Sequence, residues 1–169
     1  MTDLPALDVA GRLDRVRDAA AEFGVDALVV TSLNNVRWCT GFTGSFGALV
    51  VTADSAALLT DSRYDEPAPT QLETAGSSAE VIVTSKIVAD GAAALASATA
   101  VGLEADAVSW ADQRRWAEAL PAEPTPTEAL ITTLRSVKDD AELARMQRAA
   151  SIVDEALAEA LPLLVEGTC

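Results

Sequence analysis

The sequence predicts an α/β fold, and three observations carry the prediction. An amphipathic segment from Asp8 to Phe23 feeds, through Gly24, a strand-like stretch from Val25 to Thr31 whose centre, Ala27 to Val30, is a run of consecutive apolar residues. Apolar residues in succession, rather than alternating with polar ones, mark a strand buried on both faces. Helix-like and strand-like segments then alternate as far as residue 120, the pattern of a layered α/β domain. Half of the 169 residues are hydrophobic, much of that half is alanine and only 4% of the chain is aromatic, a composition suited to close helix packing.

In chain order, Val9, Leu13, Val16, Ala20 and Phe23 recur at steps of four and three and define one face of the opening helix. Asp8 is its expected N-cap and Gly24 its C-terminal stop. After the strand at Val25 to Thr31 comes a glycine- and aromatic-rich loop, Asn34 to Gly47. A strand from Gly47 to Thr52, a turn at Asp54-Ser55 and a strand from Ala56 to Thr60 read as an antiparallel hairpin. Ala68 to Thr74 reads as helix, with Pro67 and Pro69 near its start. Ala79 to Thr84 is the next strand, Val88 to Ala98 an alanine-rich helix and Ala100 to Glu104 a short strand. Ser109 and Asp112 have the spacing of a helix cap, and that helix ends near Leu120. Pro121, Pro124 and Pro126 predict a stiff extended connector. Thr127 to Leu134 reads as a short helix. Asp139 with Glu142 caps a long final helix whose apolar face runs through Met146, Ala149, Val153, Ala156, Ala160 and Leu164, with Pro162 kinking or ending it.

Composition excludes several function classes. The net charge of −14, from 12 basic and 26 acidic residues, repels phosphate backbones, so neither nucleic acid nor anionic membrane is an expected partner. The two cysteines, Cys39 and Cys169, make no disulfide framework. With no basic-then-apolar leader and no apolar run near the ~20 residues of a membrane span, a cytoplasmic location is expected. Histidine is absent. That removes Ser-His-Asp and Cys-His catalysis and every histidine-containing zinc site.

The chemistry-bearing stretches read mainly as structure. Gly41, Gly44 and Gly47 match neither glycine-rich nucleotide motif, and no lysine follows them. Asp61-Ser62-Arg63-Tyr64, at a strand end, reads as an Asp–Arg pair or a helix cap holding a corner, or as a segment whose Arg63 or Tyr64 faces a substrate or a neighbouring subunit. Asp54, Asp61 and Asp65 lack the tight ligand spacing of a cation loop and read as surface carboxylates. Asp139, Asp140 and Glu142 are explained by a helix start. Cys39, with no histidine to activate it, reads as a passive buried thiol. Trp110 and Trp116 read as packing residues of their helix.

Three segments together resemble a known family. Asn35-Val36-Arg37-Trp38-Cys39-Thr40-Gly41-Phe42-Thr43-Gly44-Ser45 resembles the Asn-Ile/Val-Arg-Tyr-Leu-Thr-Gly-Phe-x-Gly-Ser segment of the Xaa-Pro aminopeptidase and prolidase family, the creatinase-like branch of the pita-bread metallopeptidases. Asp61-Ser62-Arg63-Tyr64 is similar to that family's Asp-x-Arg-Tyr. Leu134-Arg135-Ser136-Val137-Lys138, with Glu142, Met146 and Ala149-Ala150, resembles its Leu-Arg-x-Ile/Val-Lys segment and the helix after it. Glu166-Gly167-Thr168 looks like the turn that follows that helix. Trp38 stands where the family has tyrosine, Cys39 where it has leucine, and Cys169 where a glutamate is expected, so the residue after Thr168 departs from the family pattern.

The resemblance implies a three-layer α/β sandwich with a central mixed β-sheet, similar in outline to ribonuclease-H-like folds. It implies a creatinase/prolidase-like N-terminal domain over residues 1–134, and a linker with the first long helix of the catalytic domain over residues 135–169. In that family two divalent metal ions, often manganese, sit in the catalytic domain on two Asp, one His and two Glu. No catalytic or metal-binding residue is therefore expected in this chain. The implied partners are the C-terminal catalytic domain, a second copy in a homodimer, and short proline-containing peptides as substrates. The same first domain also serves creatinase-like amidinohydrolases. Arg37, Trp38, Phe42, Phe46, Arg63 and Tyr64 are the residues expected to face the active-site mouth or a dimer partner.

Overall fold

The computed structural model describes residues 4–164, so the Glu166-Gly167-Thr168 turn and Cys169 lie outside the described residues. Asp8–Val137 forms one compact unit, and the residues flanking it form a second.

The first unit is built on one sheet. Its strands are β1 (Ala27–Val30), β2 (Ala48–Thr52), β3 (Ala56–Thr60), β4 (Glu80–Val83), β5 (Val101–Glu104) and β6 (Thr125–Thr127). They lie in the order β4-β3-β2-β1-β5-β6. β1 with β2 and β2 with β3 pair antiparallel, whereas β3–β4, β1–β5 and β5–β6 are parallel. The sheet is therefore mixed, as the resemblance implied. The hairpin between β2 and β3 closes where Thr52 donates from its amide to the Ser55 carbonyl at 2.9 Å and Ser55 donates back to the Thr52 hydroxyl at 3.0 Å.

Both faces of the sheet are covered, which is why β1, β2 and β3 needed apolar residues at successive positions. On one face Leu28, Val30, Leu49, Val51 and Leu58 meet α1 (Arg12–Phe23), α2 (Leu33–Thr40), α3 (Pro67–Ala75) and α6 (Leu130–Ser136) through Leu13, Val16, Val36, Trp38, Leu72 and Ile131. On the other face Ala27, Val29, Val50, Leu59 and Leu103 meet α4 (Ile87–Ala94) and α5 (Trp110–Ala119) through Ala92, Leu95 and Trp116. Three layers result. Gly91 exists to let α4 close on α5, since a Cβ there would stand 2.5 Å from the Trp116 ring.

Several local expectations are corrected. The segment expected as one long loop, Asn34 to Gly47, is half helix: α2 runs Leu33–Thr40 between Ser32 and the left-handed Gly41, and only residues 41–47 are loop. The opening helix is capped at Gly11 rather than Asp8, whose carboxylate instead accepts from the Ala10 amide. The proline connector becomes β6, an edge strand in which Pro126 lies opposite Leu103. An edge position spares proline the donor it lacks. Because β6 takes Thr127, α6 starts only at Leu130, after Ala129 in the left-handed region at φ 54°. Trp110, expected to pack, is 78% exposed.

The second unit contains α7 (Asp140–Ala160), whose N-terminus carries the expected capping box. Glu142 donates its amide to Asp139, and the Asp139 amide is received by the Glu142 carboxylate. Pro162 ends the helix in a short 3₁₀ turn, Leu161–Leu163. None of its residues is buried, and Met146, Ile152, Val153 and Leu157 are exposed.

Candidate functional site

The residues singled out in the sequence divide into two sets. Trp38 and Phe42 are interior side chains, 5% and 1% exposed, rather than part of the outward surface expected for them. The helical path of α2 is the reason. It turns Trp38 and Cys39 inward with Val36 and leaves Arg37 in solvent. Phe46 and Arg63 are also exposed, and Tyr64 is half-buried.

Trp38 has two cations close to its ring. The guanidinium carbons of Arg12 and Arg15 lie 4.8 and 5.4 Å from its ring centroid, within the range of cation–π attraction. Arg12, itself buried, also donates to the Trp38 carbonyl at 2.9 Å. The indole N–H has no hydrogen-bond partner among the described residues.

Residues 41–47 form a clamped loop. Phe42 meets Tyr64 edge to face, centroids 5.2 Å apart at 81°. Gly44 has to be glycine, because a Cβ would lie 2.1 Å from Phe42 Cζ. The Tyr64 hydroxyl accepts from the Ser45 amide at 2.9 Å and exchanges a second bond with the Ser45 hydroxyl. Gln71 Oε1, on α3, accepts from the amide and hydroxyl of Thr43. Those bonds with Ser45 lower the Tyr64 pKa below its ordinary 10.0. Arg63 is held back by Asp61, donating to both carboxylate oxygens at 2.7–3.2 Å, and lies over the Tyr64 ring at 5.4 Å. That pairing is the corner-holding ion pair read from the sequence, and it holds the Asp61 carboxyl below its usual range.

A second constellation went unnoticed in the sequence. Glu104, at the end of β5, is 4% exposed. Its Oε2 accepts from the amides of Thr31 and Ser32 at 2.7 and 2.8 Å, at the start of α2. Its Oε1 accepts from Asn35 Nδ2, and Asn35 Oδ1 in turn accepts from Arg135 at 2.6 Å. Glu104 thus ties down the entry to α2 through the amide of Thr31, 73 residues before it in the sequence. Burial pushes its carboxyl above the ordinary 4.5, and the bonds from Ser32, Asn35 and Thr31 oppose the rise. The Cys39 thiol is pushed up to about 12, chiefly by burial and next by the charge of Glu104, and a thiol held protonated is a poor nucleophile. The sequence signal was a charged residue closing an apolar strand, with Ser32 and Asn35 at helix-starting positions.

Between the strand ends lies a cleft of about 630 Å³, lined by residues that include Phe46, Lys86, Val88, Ser109, Arg115 and Trp116. Metal ligation does not fit these residues. Among those described, no three Cys, Asp or Glu side chains are placed to hold an ion, and the chain has no histidine. No helix among the described residues is long and apolar enough to cross a membrane.

Known proteins share this architecture. The model of the creatinase/prolidase N-terminal domain matches residues 12–137. The uncharacterized peptidase YqhT of Bacillus subtilis (strain 168) is 29% identical over 160 residues, covering 92% of this chain and 44% of that protein. The Xaa-Pro dipeptidase from Bacillus anthracis superposes with a TM-score of 0.88 at 27% identity, over 95% of this chain and 45% of that one. The N-terminal domain of the cytoplasmic peptidase PepQ from Mycobacterium tuberculosis H37Rv superposes with a TM-score of 0.68 at 30% identity, over 74% of this chain and 98% of that domain. The chain spans less than half the length of YqhT and of the dipeptidase. By the matched residues, the mixed six-stranded sheet and its helix layers, the chain belongs to the creatinase/prolidase N-terminal domain family, whose structural neighbours are the first domains of Xaa-Pro peptidases.

Proposed function

We propose that this domain gates a catalytic centre carried by another domain, in a cytoplasmic Xaa-Pro aminopeptidase-like metallopeptidase that cleaves the bond before proline in short peptides. The observation that carries the reading is the clamped loop. Its inner side is fixed by Phe42, Tyr64 and Gln71, and its outer side presents Phe46, 46% exposed. A rigid apolar wall excludes long or bulky substrates at little entropic cost. Arg37 and Arg63 flank it as exposed cations. Trp38 acts from the interior as a packing residue.

Residues 135–169 are read as the linker and first helix of the catalytic domain. The apolar residues that α7 exposes, Met146, Ile152, Val153 and Leu157, support that reading, because exposed apolar stripes mark surfaces meant for a partner. The same stripe supports a homodimer, and a second reading in which the chain is a stand-alone dimerising module.

The test is hydrolysis of an Xaa-Pro tripeptide with added manganese. This chain alone is expected to give no turnover, and turnover would overturn the assignment of catalysis to another domain. In a protein carrying both domains, Phe46→Ala should raise kcat/KM for longer peptides relative to the tripeptide. An unchanged ratio removes the gating role. Light scattering separates the two readings of α7: a monomer at high concentration counts against the dimerising module.

A further inference from the structure

We propose that the cleft at the carboxyl ends of β1, β4 and β5 binds a small carboxylate with an apolar body. β1 and β5 are parallel neighbours, yet the chain leaves β1 into α2 on one face and leaves β5 into α5 on the other. Adjacent parallel strands whose connections part to opposite faces create a crevice beyond their ends, the place where open α/β sheets bind ligands. The cleft of about 630 Å³ lies there, bounded by Thr31 after β1, Ser85 to Ala89 after β4 and Ala107 to Ser109 after β5.

Its lining selects the ligand. Trp116, buried, forms an apolar floor, with half-buried Val88 and Val108 beside it and exposed Phe46 at the rim. Two cations border this surface. Arg115 shares its charge with Asp112 at 2.7 Å. Lys86 is exposed and forms no ion pair among the described residues. In a chain of net charge −14, a cation left uncompensated beside an aromatic-lined cleft is complementary to a carboxylate attached to an apolar group.

Titration of this chain with hydrocinnamate and with its neutral amide, hydrocinnamamide, followed by NMR, tests the proposal without reference to peptidase activity. It therefore stands or falls separately from the gating reading. Saturable binding of hydrocinnamate is expected, with shifts centred on Phe46, Val88 and Trp116. The amide should bind about threefold to fivefold more weakly, the scale of one exposed charge interaction. Lys86→Met should remove that preference, and Phe46→Ala should weaken both probes alike. Both side chains are exposed, so neither variant threatens the fold, which near-ultraviolet circular dichroism checks. Equal affinities for the two probes, no saturable binding, or a preference that survives Lys86→Met each overturns the proposal.

Discussion

Arg135 donates to Asn35 across 100 residues of sequence, at 2.6 Å. The bond joins α6 to α2, and through Asn35 it reaches the buried Glu104 at the end of β5. Two segments recognisable in the sequence as separate motifs thus meet as one polar network. Asn35 is its pivot: the amide nitrogen serves the carboxylate and the amide oxygen serves the guanidinium. A side-chain amide offers a donor and an acceptor in a fixed planar arrangement at any ordinary pH.

Replacing Asn35 with leucine should therefore cost more than one hydrogen bond. It leaves a carboxylate oxygen short of a donor in the interior and withdraws an acceptor from Arg135. The expected loss is about 2–4 kcal/mol of unfolding free energy, against about 1 kcal/mol for an exposed hydrogen bond. Urea unfolding of the Asn35→Leu, Arg135→Leu and double variants checks this. A coupling energy near zero in that cycle contradicts a shared network.

Glu104 gives the network a pH dependence. Its folded pKa is raised above the ordinary 4.5. The folded state therefore holds this proton more tightly than the unfolded state does. The associated stability is fully present below about 4.5 and is lost as pH rises through the higher folded value. Glu104→Gln removes that slope. It also places an NH₂ where one oxygen accepts, against the donating amide of Asn35 or the amides of Thr31 and Ser32. Glu104→Gln should be less stable than the parent at neutral pH, and the gap should widen on acidification toward 4.5. Chemical unfolding of both proteins over that range measures it, and a gap that narrows refutes the assignment.

The loop glycines separate two costs that glycine avoids. Gly24 and Gly41 both lie in the left-handed region, at φ 93° and 78°. A Cβ on Gly24 meets nothing within 4 Å, whereas one on Gly41 would stand 2.3 Å from the Ala75 Cβ. Gly24→Ala should cost only the backbone term, about 1–2 kcal/mol. Gly41→Ala adds a clash between α2 and α3 and should lose substantially more, read as a larger fall in the urea midpoint. Equal losses show that the two helices part without resistance.

Much of this fold was written in local patterns. β1, the β2–β3 hairpin and β5 show themselves as apolar runs bounded by turn residues, and α7 by its helical periodicity and capping box. α2 was hidden because glycines and aromatics dominate the stretch that contains it, although Ser32 before it and Gly41 after it were helix boundary signals. β6 was hidden by Pro126, which forbids a central strand and permits an edge one. Trp38 and Phe42 were assigned outward because aromatic residues beside arginine resemble a recognition surface. Only the helical phase of α2 and the packing of Phe42 on Tyr64 turn them inward. Glu104, Asn35 and Arg135 were illegible as a unit because nothing local links residues on β5, α2 and α6. Their meeting is a property of strand order.

Tyr64 reports on the clamped loop directly, because it is the only tyrosine in the chain. Its hydroxyl bonds with Ser45 favour the phenolate and hold its pKa below 10.0, the Ser45 hydroxyl contributing more than the amide. A phenolate gains from both donors, so the folded protein gives up this proton more readily than the unfolded chain. The resulting stabilisation appears as pH rises past the folded value and is absent at neutral pH. An ultraviolet difference titration of the folded protein should therefore place the tyrosine midpoint below the value measured in urea. Ser45→Ala should raise the midpoint without abolishing the shift, since the backbone amide remains. Tyr64→Phe should leave the core stable while speeding amide exchange at Ser45, because the ring still packs on Phe42 and only the hydroxyl is lost. A midpoint equal to the unfolded one, or exchange at Ser45 unchanged in Tyr64→Phe, shows that the loop is held by ring packing and Gln71 without the hydroxyl.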